Sequence, residues 1–193
     1  MATLESVKSK LQGIIDSVNE VTGGNDTNIT SAVNTLAEGF GQGGTDRSAE
    51  LINGDITEFE NADVTNVRTY GFYQCKKLTK IVLPNLRGTI EPSGCAFCSA
   101  LELFDMYGAT IGTSAFRSCT ALKTIVIRRT DKPASLTAAS AFTSTPLASN
   151  GAGGTVYVPA ALIEAYKTTS NWSALYDGGK CTFAAIEGSQ YEI

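Results

Sequence analysis

The stretch AFRSCTALKTIVI, Ala115–Ile127, changes its apolar spacing partway along. Its apolar residues are spaced three apart and then two apart, at Phe116, Cys119, Leu122, Ile125 and Ile127. A spacing of three to four is typical of a helical or 3₁₀ turn, and a spacing of two is typical of a strand with one buried face. The stretch therefore predicts a tight turn that leads into a short, half-buried strand.

The same pattern occurs twice more upstream, in YGFYQCKKLTKIVL from Tyr70 and in SGCAFCSALELFDM from Ser93. The aligned cysteines Cys75, Cys98 and Cys119 are 23 and then 21 residues apart. Each copy has a further apolar residue eight positions before its cysteine, at Val67, Ile90 and Ile111. This period predicts a solenoid whose units each add one strand and one turn.

Alternation within the strands predicts which side chains fill the solenoid. The residues expected to point inward are Ile81, Leu83, Phe104, Met106, Ile125 and Ile127. The three aligned cysteines are expected to stack at the adjoining turn.

A weaker fourth copy, ASAFTSTPL, follows the regular ones. Phe142 takes the aromatic position, Thr145 takes the cysteine position, and the glycine-rich SNGAGG delays the strand to Val156 and Val158. A first strand is predicted at Ile56–Phe59, after an Asn-Gly-Asp turn signal.

Composition and charge limit the function classes. A chain of 193 residues with 42% hydrophobic content can form one elongated domain with a short appendage. The net charge of −4 and the scattered basic residues argue against nucleic acid or an anionic membrane as a partner. The first residues, MATLESVKSK, lack the apolar segment of a signal peptide, so export by that route is not expected.

The five cysteines are expected to be free thiols rather than a metal or redox site. Cys95 and Cys98 form a CxxC, but there is no second CxxC, no histidine, and the cysteine count is odd. Cys95 stands where the other copies have Phe72 and Phe116. We expect no metal and no cofactor, and synthesis in a reducing compartment.

The sequence predicts no catalytic residues. Without histidine the commonest general base and the usual serine and cysteine triads are absent. The acidic residues Glu58, Glu60 and Asp63 are expected to be solvated. The glycine string at residues 39–44 follows no strand and precedes no Lys-Ser or Lys-Thr, so it indicates a flexible joint rather than a phosphate loop.

The segment before that joint has a heptad seam with apolar spacings of 3, 4, 3, 4 and 3. The seam residues are Leu4, Val7, Leu11, Ile14, Val18 and Val21. A second amphipathic helix is predicted through Ile29, Val33, Leu36 and Phe40. Either the two helices form a hairpin, or the first helix assembles with copies of itself. Leucine at one seam position and β-branched residues at the other favour a homo-oligomer, with a trimer preferred.

The units YGFYQCKKLTKIVLP, SGCAFCSALELFDM and IGTSAFRSCTALKTIVI resemble BspA-like leucine-rich repeats, in which Ala-Phe precedes Cys, Leu and a strand. The resemblance implies an α/β fold: a short leucine-rich-repeat solenoid of parallel strands and turns, preceded by a helical segment. The implied divisions are a helical assembly segment at 1–44, the solenoid at 45–158 and a helix and strand cap at 159–193.

The tail TVYVPAALIEAYKTTSNWSALYD is similar to the segment that closes many such proteins. Pro159 is expected to start a helix there, since its fixed φ suits a first helical turn. The aromatic residues expected to be buried in this cap are Tyr166, Trp172 and Tyr176.

The head, residues 11–44, is similar to N-terminal segments on virion and tail-associated proteins of phages that infect gut bacteria. This similarity implies a bacteriophage virion structural or attachment protein, of the tail, baseplate or head fibre, that is assembled in the host cytoplasm. Its partners would be other virion proteins and a host cell-surface glycan or protein. The alternative is a bacterial cell-surface adhesin or protein–protein interaction module, which the missing signal peptide disfavours.

The predicted recognition surface is the outward face of consecutive strands, where repeat proteins commonly bind. Its residues are Lys80, Val82, Leu103, Asp105, Thr124, Val126, Arg128 and Tyr157. Val82, Leu103 and Val126 would form a small exposed apolar patch, which favours a partner. Equally open is that all eight are ordinary solvated strand positions.

Overall fold

A computed structural model describes residues 56–148 and 153–193 of the protein. The described residues all belong to one compact unit, Glu50–Ile193. The predicted helical segment and its seam from Leu4 to Val21 lie outside the described residues, so they stay predictions.

Eight short strands form the framework of the described part. They are β1 (Glu58–Glu60), β2 (Lys80–Leu83), β3 (Thr89–Ile90), β4 (Leu103–Met106), β5 (Thr110–Ile111), β6 (Thr124–Ile127), β7 (Gly154–Val158) and β8 (Cys181–Ala185). Single 3₁₀ turns lie at Ala139–Phe142, Pro146–Ala148 and Ala160–Leu162, and two helices follow, α1 (Ile163–Thr168) and α2 (Trp172–Tyr176). The first strand therefore begins two residues later than the predicted Ile56.

The main sheet has six strands in the order β1-β2-β4-β6-β7-β8, all parallel. Its register aligns the predicted units, since Ile81 lies opposite Phe104, Phe104 opposite Ile125 and Ile125 opposite Val156. The six predicted inward side chains on β2, β4 and β6 are all completely buried. The parallel-strand solenoid is therefore confirmed.

A second, narrower ladder runs along the opposite side of the solenoid. β3 pairs with β5, and isolated bridges join Val67 to Ile90 and Ile111 to Leu136. These are the apolar residues that precede each cysteine by eight positions, together with one member from the fourth copy, and all four are buried. Each unit thus contributes two inward-facing segments, which close the core from both sides.

The turns between these ladders have left-handed backbone at non-glycine residues. Those in the first three units are Tyr70, Gln74, Ser93, Phe97, Ser114 and Ser118, and Ser144 follows in the fourth. Such φ values are uncommon outside glycine, and the stacked neighbours hold them. The amide of Gln74 donates to the Ala96 carbonyl at 3.0 Å, and that of Phe97 donates to the Arg117 carbonyl at 2.8 Å.

The cysteine ladder is confirmed and has a hydrogen-bonding role. The Cys98 thiol donates to the Phe72 carbonyl at 2.8 Å, and the Cys119 thiol donates to the Cys95 carbonyl at 3.0 Å. A small side chain with a weak donor satisfies a buried carbonyl of the preceding turn. Thr145 replaces the thiol in the fourth unit and donates its hydroxyl to the Phe142 carbonyl at 2.8 Å.

The C-terminal cap seals the last unit with aromatic side chains. Pro159 directly precedes the 3₁₀ turn Ala160–Leu162, which leads into α1. Tyr166 and Trp172 are completely buried, as predicted. The predicted burial of Tyr176 is wrong, because its side chain lies at the end of α2 and is 37% exposed. Strand β8 continues the parallel sheet, so the cap shares the backbone hydrogen bonds of the solenoid.

Among the described residues, no helix combines the length and the apolar character that crossing a membrane requires.

Candidate binding surfaces

The outer face of the main sheet carries two rows of side chains. By strand register, the first outer row contains Glu58, Lys80, Leu103, Thr124, Thr155 and Thr182. The second outer row contains Glu60, Val82, Asp105, Val126, Tyr157 and Ala184. Seven of the eight predicted recognition residues belong to these rows, and Arg128 lies just beyond the end of β6.

The second outer row is partly covered by the C-terminal tail, residues 186–193. The ring of Tyr191 packs edge-to-face on Tyr157 with centroids 4.6 Å apart, and Arg128 Nη1 donates to the Tyr191 carbonyl at 2.9 Å. Val126 lies beside Tyr157 in the register and is 0% exposed. The predicted exposure of Val126, and the apolar patch built on it, are therefore wrong.

Asp105 lies on the outer face as predicted but is also buried, at 6% exposure, so its predicted accessibility is wrong. Its carboxylate accepts two hydrogen bonds from Arg128, from Nε at 2.9 Å and from Nη2 at 2.7 Å. A bidentate guanidinium–carboxylate pair is among the stronger polar contacts in proteins and fixes the orientation of both groups. Asp105 orients Arg128, and Arg128 in turn holds the tail.

We expect Arg128→Ala to lower the free energy of unfolding by about 1.5–3 kcal/mol, since hydrogen bonds to a charged group are lost and the Asp105 carboxylate stays buried. The matched control is Arg129→Ala. Its ion pair partner, Asp131, is 58% exposed, so loss of that pair should lower the free energy of unfolding by no more than about 1 kcal/mol. Urea unfolding measures both. Carboxypeptidase digestion should also remove the tail faster from the Arg128 variant; equal digestion of both variants would contradict the holding role of Arg128.

The first outer row remains accessible along its whole length. Glu58 and Thr182 are exposed at its two ends, and the four residues between them are half-buried. Lys80 Nζ lies 3.4 Å from Glu58 Oε2, which is a solvated pair of small energetic weight. Beyond that pair come one leucine and three threonines, a surface of methyl groups and hydroxyls with little charge.

A second exposed surface, which sequence analysis missed, lies on the turns of the first three units. Tyr70 and Tyr73 are packed edge-to-face at 5.1 Å between centroids, and Tyr73 contacts Phe97 of the next unit at 5.5 Å. The guanidinium of Arg117, from the third unit, lies 6.0 Å from the Phe97 centroid. We call these three rings, together with Arg117, the aromatic ridge. Its signal in the sequence is that Tyr70 and Phe97 occupy turn positions where aligned units have serine or glutamine.

Several of the buried thiols have raised pKa values. Burial raises the pKa of the Cys95 thiol well above its ordinary value and that of Cys181 to about 11. Hydrogen bonding with Cys119 is the main cause that raises the pKa of Cys98 to about 12. All five cysteines are free and buried, and within residues 56–148 and 153–193 no cluster of potential ligands could hold a metal ion. Protonated thiols are poor nucleophiles.

Comparison with known proteins gives one match. A family model described as BspA type leucine rich repeat region matches residues 53–150 in six copies. Neither the comparison with curated proteins nor the comparison with solved structures found a match.

Proposed function

Because the chain belongs to the BspA-type leucine-rich repeat family, we propose that it is a non-enzymatic interaction module that binds a macromolecular surface through the first outer row of its sheet. The observation that carries this proposal is the uninterrupted parallel sheet of six strands with one accessible row across it. Five strand spacings of about 4.8 Å make that row about 24 Å long. This is the form of extended surface that repeat proteins use for recognition.

The chemistry of the row suits a neutral, polar partner. Thr124, Thr155 and Thr182 lie side by side in the register and offer hydroxyl groups that donate and accept hydrogen bonds. Leu103 adjoins them and supplies an apolar contact at the centre of the row. A host cell-surface glycan or protein segment that lies across the strands would contact a threonine hydroxyl on each of these successive strands.

The finer role that we propose is attachment on a bacteriophage virion. The similarity of residues 11–44 to N-terminal segments of virion proteins supports it, and those residues would join copies of the chain, as a trimer, to other virion proteins. Several solenoids on one anchor would gain avidity for a repetitive host surface. The test of the anchor compares the mass in solution of the whole chain with that of a chain beginning at Thr45; two monomers would refute it.

The runner-up is an adhesin on a bacterial surface, which would use the same row of the sheet. Immunodetection in purified phage particles and in cell envelopes from the same culture separates the two roles. We expect the protein in the particles. Its presence in envelopes alone would replace the virion role with the adhesin role and leave the interaction module intact.

We expect Leu103→Glu to reduce binding of the protein to its target surface by at least tenfold, because a charge replaces the apolar contact at the centre of the row. The measurement is competition by the purified chain against attachment of particles to host cells. The matched control is Ser135→Glu, an exposed position on the other side of the solenoid. Thermal unfolding of both variants checks the fold, and unchanged competition by a folded Leu103 variant would show that the row is only scaffold.

A further inference from the structure

The aromatic ridge exposes large rings where the fold does not need them. The side chain of Tyr70 is 61% exposed and that of Tyr73 is 37% exposed, and Phe97 is half-buried. Their main ring contacts are with one another and not with the core. Contiguous exposed aromatic surface on a repeat protein is a common sign of a binding site.

The backbone makes aromatic residues unfavourable at two of these positions. Tyr70 has φ 63° and Phe97 has φ 64°, in the left-handed region that penalises large side chains. The positions aligned with Tyr70 hold Ser93 and Ser114, which adopt the same conformation. Serine therefore satisfies this turn, and the rings bring strain without core burial. Such strain is typical of functional positions.

The charge around the ridge is positive. Arg68 precedes it, Lys76 and Lys77 follow the first turn directly, and Arg117 lies over Phe97. In the part of the chain that the structure describes, Lys76, Lys77 and Arg117 form no salt bridge. The nearby Glu91 carboxylate already accepts hydrogen bonds from the amide and hydroxyl of Thr69, which lower the pKa of that carboxyl.

The arrangement of the rings indicates the class of partner. Tyr70 and Tyr73 meet at 80°, and Tyr73 and Phe97 meet at 70°. Perpendicular rings leave small gaps between them that can hold inserted side chains. A sugar, in contrast, stacks best on a flat, continuous ring surface. Tyrosine and arginine are also the residues that are enriched at the energetic centres of protein interfaces.

We propose that the aromatic ridge binds an acidic segment of a partner protein. The apolar side chains of that segment lie between the rings, and its carboxylates lie at Arg117, Lys76 and Lys77. This site is separate from the first outer row, which lies on the strands, and it does not depend on the virion or adhesin role. Charged hydrogen bonds from arginine would fix the orientation of the segment, and the rings would supply the apolar contact.

The test selects binders from a random peptide library on the whole immobilised protein and measures the affinity of a selected peptide by fluorescence anisotropy. We expect acidic peptides with apolar residues, and about tenfold or greater weakening with the double variant Tyr70→Ser and Phe97→Ser. The double variant places at each position the serine that aligned turns already hold, so it should fold. Gln74→Ser, at another left-handed position of the first turn, is the matched control and should bind normally.

Arg117→Glu provides a second variant that leaves the rings unchanged and should repel the same peptide. The proposal fails if no peptide is selected, if the selected peptides are neutral or basic, or if either ridge variant binds them normally. It also fails if the ridge instead binds members of a panel of oligosaccharides and loses that binding in the double variant, which would assign the ridge to glycans.

Discussion

Phe116→Ala is expected to lower the free energy of unfolding by about 3–5 kcal/mol, the range for deleting a buried aromatic side chain. The Phe116 ring is completely buried at the centre of the solenoid. It stacks on Phe142 at 5.5 Å with an interplanar angle of 2° and meets Phe104 edge-to-face at 4.9 Å. Its removal leaves a cavity that three successive units line, and the strands on either side hold the cavity open.

Urea unfolding followed by circular dichroism measures this loss. Phe97→Ala is the matched control, since it removes the same ring from a half-buried turn position in the preceding unit. We expect the control to cost about 1 kcal/mol, close to the value of an aromatic pair contact. Equal losses for the two phenylalanines would contradict the expectation that burial of the ring decides how much stability is lost.

Trp172→Ala is expected to cost at least as much, about 3–5 kcal/mol for the ring, with a further loss from an unpaired buried carbonyl. Trp172 is completely buried and contacts Phe142, Tyr166 and Phe183. Its Nε1 donates to the Ala134 carbonyl at 2.7 Å. The side chain therefore joins the cap to the fourth unit by packing and by a hydrogen bond.

Two further variants separate these contributions. Trp172→Phe keeps much of the ring but loses the donor, and should cost about 1–3 kcal/mol. Tyr176→Ala removes a more exposed ring of the same cap and should cost less than either. If Tyr176→Ala were as damaging as Trp172→Ala, the cap would not be organised around the tryptophan.

These losses are large relative to the total free energy of unfolding. A domain of this size is stable by about 5–15 kcal/mol, so either alanine variant removes a substantial share. In repeat proteins each unit is stabilised by contacts with its neighbours, and a terminal cap protects the last of them. Damage at Trp172 should therefore expose the fourth unit first, and hydrogen exchange of the Val156 and Val158 amides would detect it.

The sequence by itself determined which strand side chains point into the core of this protein. A strand alternates its side chains between two faces, so the apolar residues Ile81, Phe104 and Ile125 could point only one way once the units were aligned. The repeated cysteines followed from the same register. Local spacing suffices for the strand side chains and the cysteines because each is set within one unit or between adjacent ones. The burial of Tyr166 and Trp172 was predicted instead from the resemblance of the tail to segments that close such proteins.

The tertiary structure alone decided which outward residues are accessible. Asp105 and Val126 alternate as outer-face residues should, yet both are buried. Their neighbours Arg128 and Tyr157 contact Tyr191 of the C-terminal tail, which lies 63 positions from Arg128 in the sequence. The contact of Tyr73 with Phe97 likewise depends on how stacked turns face one another. Alternation fixes the face that a side chain occupies, but its burial depends on the distant segments that pack against that face, which local periodicity does not encode.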